Sequence, residues 1–213
     1  MYHIEWVLKE ATRRLRSIFP HTYQDWLSGS KGRSNRLVVV PYHPFPYIEA
    51  VNLIQLIGET KMLPLAFYEC CQDPLQALKG VARADGTVET LDLLILELCI
   101  SAHTNLIQRQ AMLNADVFCS GLAQGCPQAG VCRAAMEAAY RGVCGCPAVY
   151  LSGRILHSSI SHVLGRLQRE NEVLCAFCAT TLPQREWNGV RAAWKDLPKL
   201  LGLEVDSWDQ DAT

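Results

Sequence analysis

The stretch "LCAFCATTLPQREWNGVRAAWKDLPKLLGL", residues 174–203, sets two cysteines at knuckle spacing, Cys175 and Cys178, ahead of a helical segment that Pro198 closes. What those two thiols do decides how the C-terminal part of the chain is held. A C-x-x-C turn can bring two thiolates onto one Zn²⁺ or join two sulfurs in a reactive disulfide. Free cysteine is also among the most buried residue types, so the pair can equally be small hydrophobes of a helical core.

A structural zinc site asks for four Cys or His ligands in a tetrahedron, commonly as two pairs. Upstream, Cys126 and Cys132 form a C-x5-C pair whose intervening Pro127 and Gly130 read as a loop able to turn both sulfurs inward. Cys144 and Cys146 make a C-x-C that can also bind metal, and Cys119 lies near enough to replace one ligand. The adjacent Cys70 and Cys71 fall on a helix, face different directions and read as core packing. A thiol oxidoreductase using Cys175 and Cys178 is a further reading, although the thioredoxin-like βαβ pattern that usually accompanies it is missing. Glu172, three residues before Cys175, would raise its thiol pKa.

Outward from the cysteines, apolar spacing predicts an all-α protein. Ile4, Leu8, Ala11, Leu15 and Ile18 form one helical stripe ending near Pro20, with a short helical turn around Tyr23 to Leu27. Residues 28–36, containing "KGRSNR", read as an exposed basic loop, and Leu37 to Val40 as one short extended segment before a proline-rich connector. Ala50, Leu53, Ile54 and Ile57 mark a second helix and "LPLAFYECC" a third. Asp85-Gly86 reads as a turn, Thr90 as a cap and Leu91, Leu94, Ile95 and Leu98 as the next stripe, with a further helix from about Ala102 to Phe118. "RAAMEAAYRGV" is alanine-rich and helical, and "CGCPAVYLSG" breaks it. The chain divides into residues 1–118, a helical region, and 119–213, a cysteine-containing helical region with the Trp/Leu-Pro segment, unless both form one continuous domain.

The 213 residues, 49% of them hydrophobic, suffice to bury a sizeable core. Twenty Lys and Arg against twenty-one Asp and Glu leave a formal charge of −1, so nothing draws the chain onto nucleic acid or anionic lipid. "MYHIEWVLKEATRRLRS" is not a secretory signal, and "LDLLILELCIS" is too short and too charged to span a bilayer. Ten cysteines without such a signal suit a reducing compartment, cytoplasmic or nuclear. No nucleophile elbow, HExxH motif or carboxylate pair nominates an enzyme. His157 and His162 are five apart and share no helix face, His103 reads as a satisfied helix residue, and Trp6, Trp26, Trp187, Trp194 and Trp208 read mostly as anchors between helices.

Several separated segments together carry a family likeness. "YHIEWVLKEATRRLRSIFPHTYQDW", "LPLAFYECC", the Cys126/Cys132 pair, "LCAFC" and the W-x-x-L-P-x-x-x-G-L run from Trp194 to Leu203, with Trp208 beyond, resemble the helical region C-terminal to the BTB/POZ domain in basidiomycete fungal BTB proteins. The resemblance spans nearly the whole chain. It implies a truncated member, an alternative gene model or an excised fragment, with the dimerising BTB fold absent and BTB-mediated dimerisation not expected. It also implies a structural Zn²⁺ on Cys126, Cys132, Cys175 and Cys178, Cys119, Cys144 and Cys146 being departures from the family pattern. Such a site would make the protein an irregular helical bundle in which a zinc knuckle joins a loop to the C-terminal helix, contributing about 10 kcal/mol of folding free energy. The implied function is a non-enzymatic protein-interaction module acting through unknown protein partners. A zinc-dependent nucleic-acid-binding or transcriptional module is the reading from another class, and the near-zero charge argues against it.

Overall fold

A computed structural model describes residues 2–30, 47–145, 153–157, 163 and 174–210. The protein is all-α. In chain order the elements are α1 (Tyr2–Ile18), α2 (Tyr23–Ser30), α3 (Tyr47–Ile57), α4 (Leu63–Cys70), α5 (Pro74–Lys79), strands β1 (Val81–Ala82) and β2 (Val88–Glu89), α6 (Leu93–Cys119), α7 (Ala129–Cys144), α8 (Ala176–Lys195) and α9 (Leu197–Leu200). They group into two compact units, residues 1–103 with 197–213, and residues 104–196. The expected extended segment at Leu37 to Val40 and the "KGRSNR" run lie outside the described residues. Among the described residues, no helix is long and apolar enough to cross a membrane.

In the first unit, α3 packs on α4 and buries Ile48, Val51 and Ile54 together with Leu65, Phe67 and Tyr68. Thr22 caps α2 by accepting from the Asp25 amide at 3.2 Å while its hydroxyl donates to the Asp25 carboxylate, which satisfies an otherwise orphaned N–H. The chain's last described segment returns here: Asp209 accepts from the Tyr23 amide at 2.8 Å and donates its own amide to the His21 carbonyl. Among the described residues of the α1 stripe, Leu8, Ala11 and Ile18 are exposed and Leu15 is half-buried. Trp6 stands exposed as well, whereas Phe19, just past the helix, is buried.

Asp85-Gly86 does turn the chain, but it closes a two-stranded hairpin rather than a plain loop. Val81 pairs with Glu89 and Ala82 with Val88, antiparallel. Gly86 sits at φ +85°, and the Asp85 carboxylate accepts from the Thr87 amide at 2.9 Å. Gly80 enters the hairpin at φ +75°, ψ −172°, a region only glycine occupies readily, and a Cβ there would meet the Glu89 carbonyl at 2.5 Å.

The helix after the hairpin departs from the sequence reading in two ways. Its cap is Asp92, whose carboxylate accepts from the Leu94 amide at 2.9 Å, not Thr90. Of the expected stripe, Leu91 is buried, Ile95 and Leu98 are half-buried and Leu94 is exposed, and the buried row of the helix runs through Cys99, Ala102 and Leu106. Further, the two expected helical segments are one continuous 27-residue helix, because no Gly or Pro interrupts residues 93–119.

In the second unit, α6 and α8 lie against each other through Gly189. A Cβ on that residue would stand 2.1 Å from Leu113 Cδ1, so the missing side chain is what lets the two helices approach. One turn earlier, the Arg185 guanidinium donates to the carbonyls of Val117 at 3.1 Å and Gly121 at 2.8 Å. A cation thereby satisfies acceptors at the C-terminal end of α6, where the helix dipole favours positive charge. Leu182, Val190 and Trp194 are the buried face of α8. We expect Gly189→Ala to overpack Leu113 and to destabilise the protein by about 1–3 kcal/mol, read as a lowered urea midpoint at unchanged slope.

Candidate metal centre

Two helix starts and one loop bring the cysteines together in the second unit. α8 begins immediately after Cys175, whose extended backbone at φ −63°, ψ 160° makes it the residue that caps the helix. The Cys178 amide, in the first turn, donates to Cys175 Sγ at 3.5 Å. The Cys175 amide in turn donates to Cys132 Sγ at 3.3 Å. Cys132 was expected in a loop, but α7 starts at Ala129 and carries it in the first helical turn, with its amide bonded to the Gln128 carbonyl at 2.9 Å. Its partner Cys126 is in the loop proper, after a turn in which the Cys126 amide donates to Ala123 at 3.1 Å and Gly125 takes φ +79°.

The result is a cluster in which the sulfurs of Cys126, Cys132, Cys175 and Cys178 all lie within 4.8 Å of one another, with Cys175 Sγ 3.7 Å from Cys126 Sγ. Cys132, Cys175 and Cys178 are buried and Cys126 half-buried, under an apolar cover of Leu122, Ala123 and Leu174. A tetrahedron with metal–sulfur bonds of about 2.3 Å places its sulfurs about 3.8 Å apart, and the 3.7 Å between Cys175 and Cys126 Sγ is close to that separation. The four cysteines can hold a metal ion.

The thiols differ in acidity. The Cys178 amide holds the Cys175 thiol down at about 7, aided by the neighbouring thiols. Burial pushes Cys178 up to about 12 and Cys132 up as well. Of the three buried thiols, Cys175 is the one held toward the thiolate near neutral pH. A bound divalent cation would change this, since coordination deprotonates a thiol outright.

The remaining cysteines sort by burial. Cys119 and Cys144 are exposed and outside the cluster, and Cys146 lies outside the described residues. Cys70 and Cys71 are fully buried in the first unit, where burial pushes both thiols well up, and Cys99 is buried there too. His103 Nδ1 lies 2.7 Å from the Cys71 carbonyl, so its ring is satisfied within its own unit. His157 is exposed, and His162 lies outside the described residues. Trp26 and Trp194 are buried, Trp208 is half-buried, Trp6 is largely exposed, and Trp187 is partly exposed with the Arg191 guanidinium 5.5 Å from its ring centroid. Sequence reasoning passed over Arg185. Its partners are carbonyls 64 and 68 residues away, and nothing in "PQREW" announces them.

No protein-family model matches this chain, and it matches neither a curated protein nor a solved structure.

Brief iodoacetamide treatment of the native protein should alkylate Cys119 and Cys144 and spare Cys70, Cys71 and Cys99 until the chain is unfolded, as mapped by peptide mass spectrometry.

Proposed function

We propose that the chain is a non-enzymatic protein-interaction module whose second unit is held by a structural Zn²⁺ on Cys126, Cys132, Cys175 and Cys178. The observation that carries this reading is the convergence of four sulfurs within 4.8 Å, three of them buried. Sulfur-only tetrahedral sites are the province of zinc and of iron–sulfur chemistry, and a closed four-thiolate zinc leaves no position for substrate. Amides of Cys175 and Cys178 aimed at sulfur would temper the charge of the thiolates, the role that surrounding hydrogen bonds play at metal centres. Ligation of this kind belongs to a reducing compartment, cytoplasmic or nuclear.

Protein contact is supported by apolar side chains left in water. Trp6, Val7 and Leu8 stand out on α1, and Phe177 and Trp187 on α8. Aromatic residues of this size are the ones that anchor interfaces. The segments that resemble the region following the BTB domain of fungal BTB proteins point the same way, toward adaptor-like binding rather than catalysis. A BTB relationship is part of this proposal.

A second reading has one observation in its favour. Cys175 sits at a helix N-terminus with its thiol held at about 7, which is how a reactive thiol of a C-x-x-C motif is activated. Metal content separates the two. Protein purified without a histidine tag should contain one zinc per chain by elemental mass spectrometry. The Cys175→Ser/Cys178→Ser variant should lose the metal and, with it, thermal stability. Zinc should also be released as pH falls, since every ligating thiolate must take back a proton. Metal-free protein, with a double variant of unchanged stability, overturns the zinc reading and turns attention to thiol reactivity.

A further inference from the structure

A cavity of about 480 Å³ opens in the second unit beside α7, lined by α7, the end of α6 and the loop after it. That volume is within the range of pockets for small organic ligands. Its composition is divided. Phe118 and Met136, both buried, supply an apolar wall together with Leu122, and the Tyr140 ring stands 6.4 Å from that of Phe118 at an interplanar angle of 42°. Such a tilted aromatic pair offers both ring edge and ring face to a guest.

The other wall is charged. Arg133, Glu137 and Arg141 succeed one another at four-residue steps, so a single face of α7 presents all three to the cavity. Spacing of this kind normally closes ion pairs along a helix. Here none of the three is ion-paired among the described residues, and the side-chain hydrogen bond of Arg141 is a long 3.4 Å contact to the Glu137 carbonyl. Two guanidiniums against one carboxylate leave the wall with an excess positive charge, and guanidinium is the group best shaped to grip a carboxylate or phosphate. Desolvating an apolar body against Phe118 and Met136 while pairing an anionic head with arginine satisfies both walls at once.

We infer that this pocket binds a small organic anion, an aromatic or similarly apolar body bearing one carboxylate or phosphate, with Arg133 and Arg141 holding the head group. The inference is independent of the metal reading, because none of the four clustered cysteines lines the cavity. Cys119 does line it and is exposed, which provides a way to locate binding.

The test uses the full chain and fluorine NMR of three probes: 4-fluorophenylacetate, 4-fluorophenyl phosphate and the neutral 4-fluorobenzyl alcohol. Saturable line broadening by at least one anion, weaker by about tenfold or more for the neutral probe, is expected, and the better anion tells carboxylate from phosphate. Arg133→Gln/Arg141→Gln should cost the anion a similar factor at an unchanged melting temperature, whereas Glu137→Gln should tighten it. Alkylating Cys119 should block binding, and Cys119→Ser should bind normally while resisting the block. The proposal is overturned if neither anion saturates up to about 10 mM. Equal binding of the neutral probe, or indifference to both the arginine and the Cys119 changes, overturns it as well.

Discussion

Four thiols gathered within 4.8 Å are the constraint on which the second unit turns. As thiolates they would repel strongly in a partly buried setting, and as neutral thiols they bond only weakly. Backbone amides partly resolve the conflict, since Cys175 and Cys178 direct N–H groups at sulfur. A divalent cation, as proposed, would offset half of that charge and turn each thiolate into a ligand, with the amides at sulfur tempering the remainder. Either way, the loop before α7, the first turn of α7 and the start of α8 have to arrive at one point. That requirement sets where both helices begin.

The rest of the unit is arranged to allow that arrival. Gly189 lets α8 lie close on Leu113, and Arg185 ties the same face of α8 to the carbonyls that end α6. These contacts lie two to four helical turns from Cys175, so they aim the helix whose first residues carry sulfur. The loop from Gly121 to Cys126 is thus gripped at both ends, by Arg185 at one and by the cysteine cluster at the other. Its Leu122 serves two places, covering the cluster and lining the neighbouring cavity. The α7 helix has a similar double use, since Cys132 faces the sulfurs while the next residue, Arg133, faces the cavity.

In the first unit, a hairpin and a helix share one acid. Glu89 pairs with Arg83 across the turn and accepts from Asn52 of α3 at 2.9 Å. Asn52 also donates to the Thr90 carbonyl at 3.0 Å, which takes up the backbone of the residue that sequence reading assigned as a cap. This unit thus holds the only sheet among the described residues, two residues a strand, pinned by side chains rather than by a ladder of any length. Its thiols, Cys70, Cys71 and Cys99, are packed away together, and burial foremost, with the neighbouring Cys99, keeps Cys70 and Cys71 protonated.

The sequence by itself determined the all-α class, since the 3.6-residue spacing of apolar side chains and the alanine-rich runs are local properties of the chain. It also determined which thiols were candidates: the tight spacing of Cys175 and Cys178, and the Pro/Gly loop at Cys126, are written in adjacent residues. Helix starts were less legible. Asp92 and Thr90 are both acceptable caps, and the choice between them follows from what Thr90 and Glu89 bond to in space. Only the tertiary structure decided that the two cysteine pairs meet, that Cys119 and Cys144 stay outside, and that residues 197–210 return to the first hundred. The same holds for Arg185 and for the cavity rimmed by Arg133 and Arg141. Each of these depends on groups tens of residues apart, whose approach is set by how whole helices pack and carries no local mark in the residues themselves.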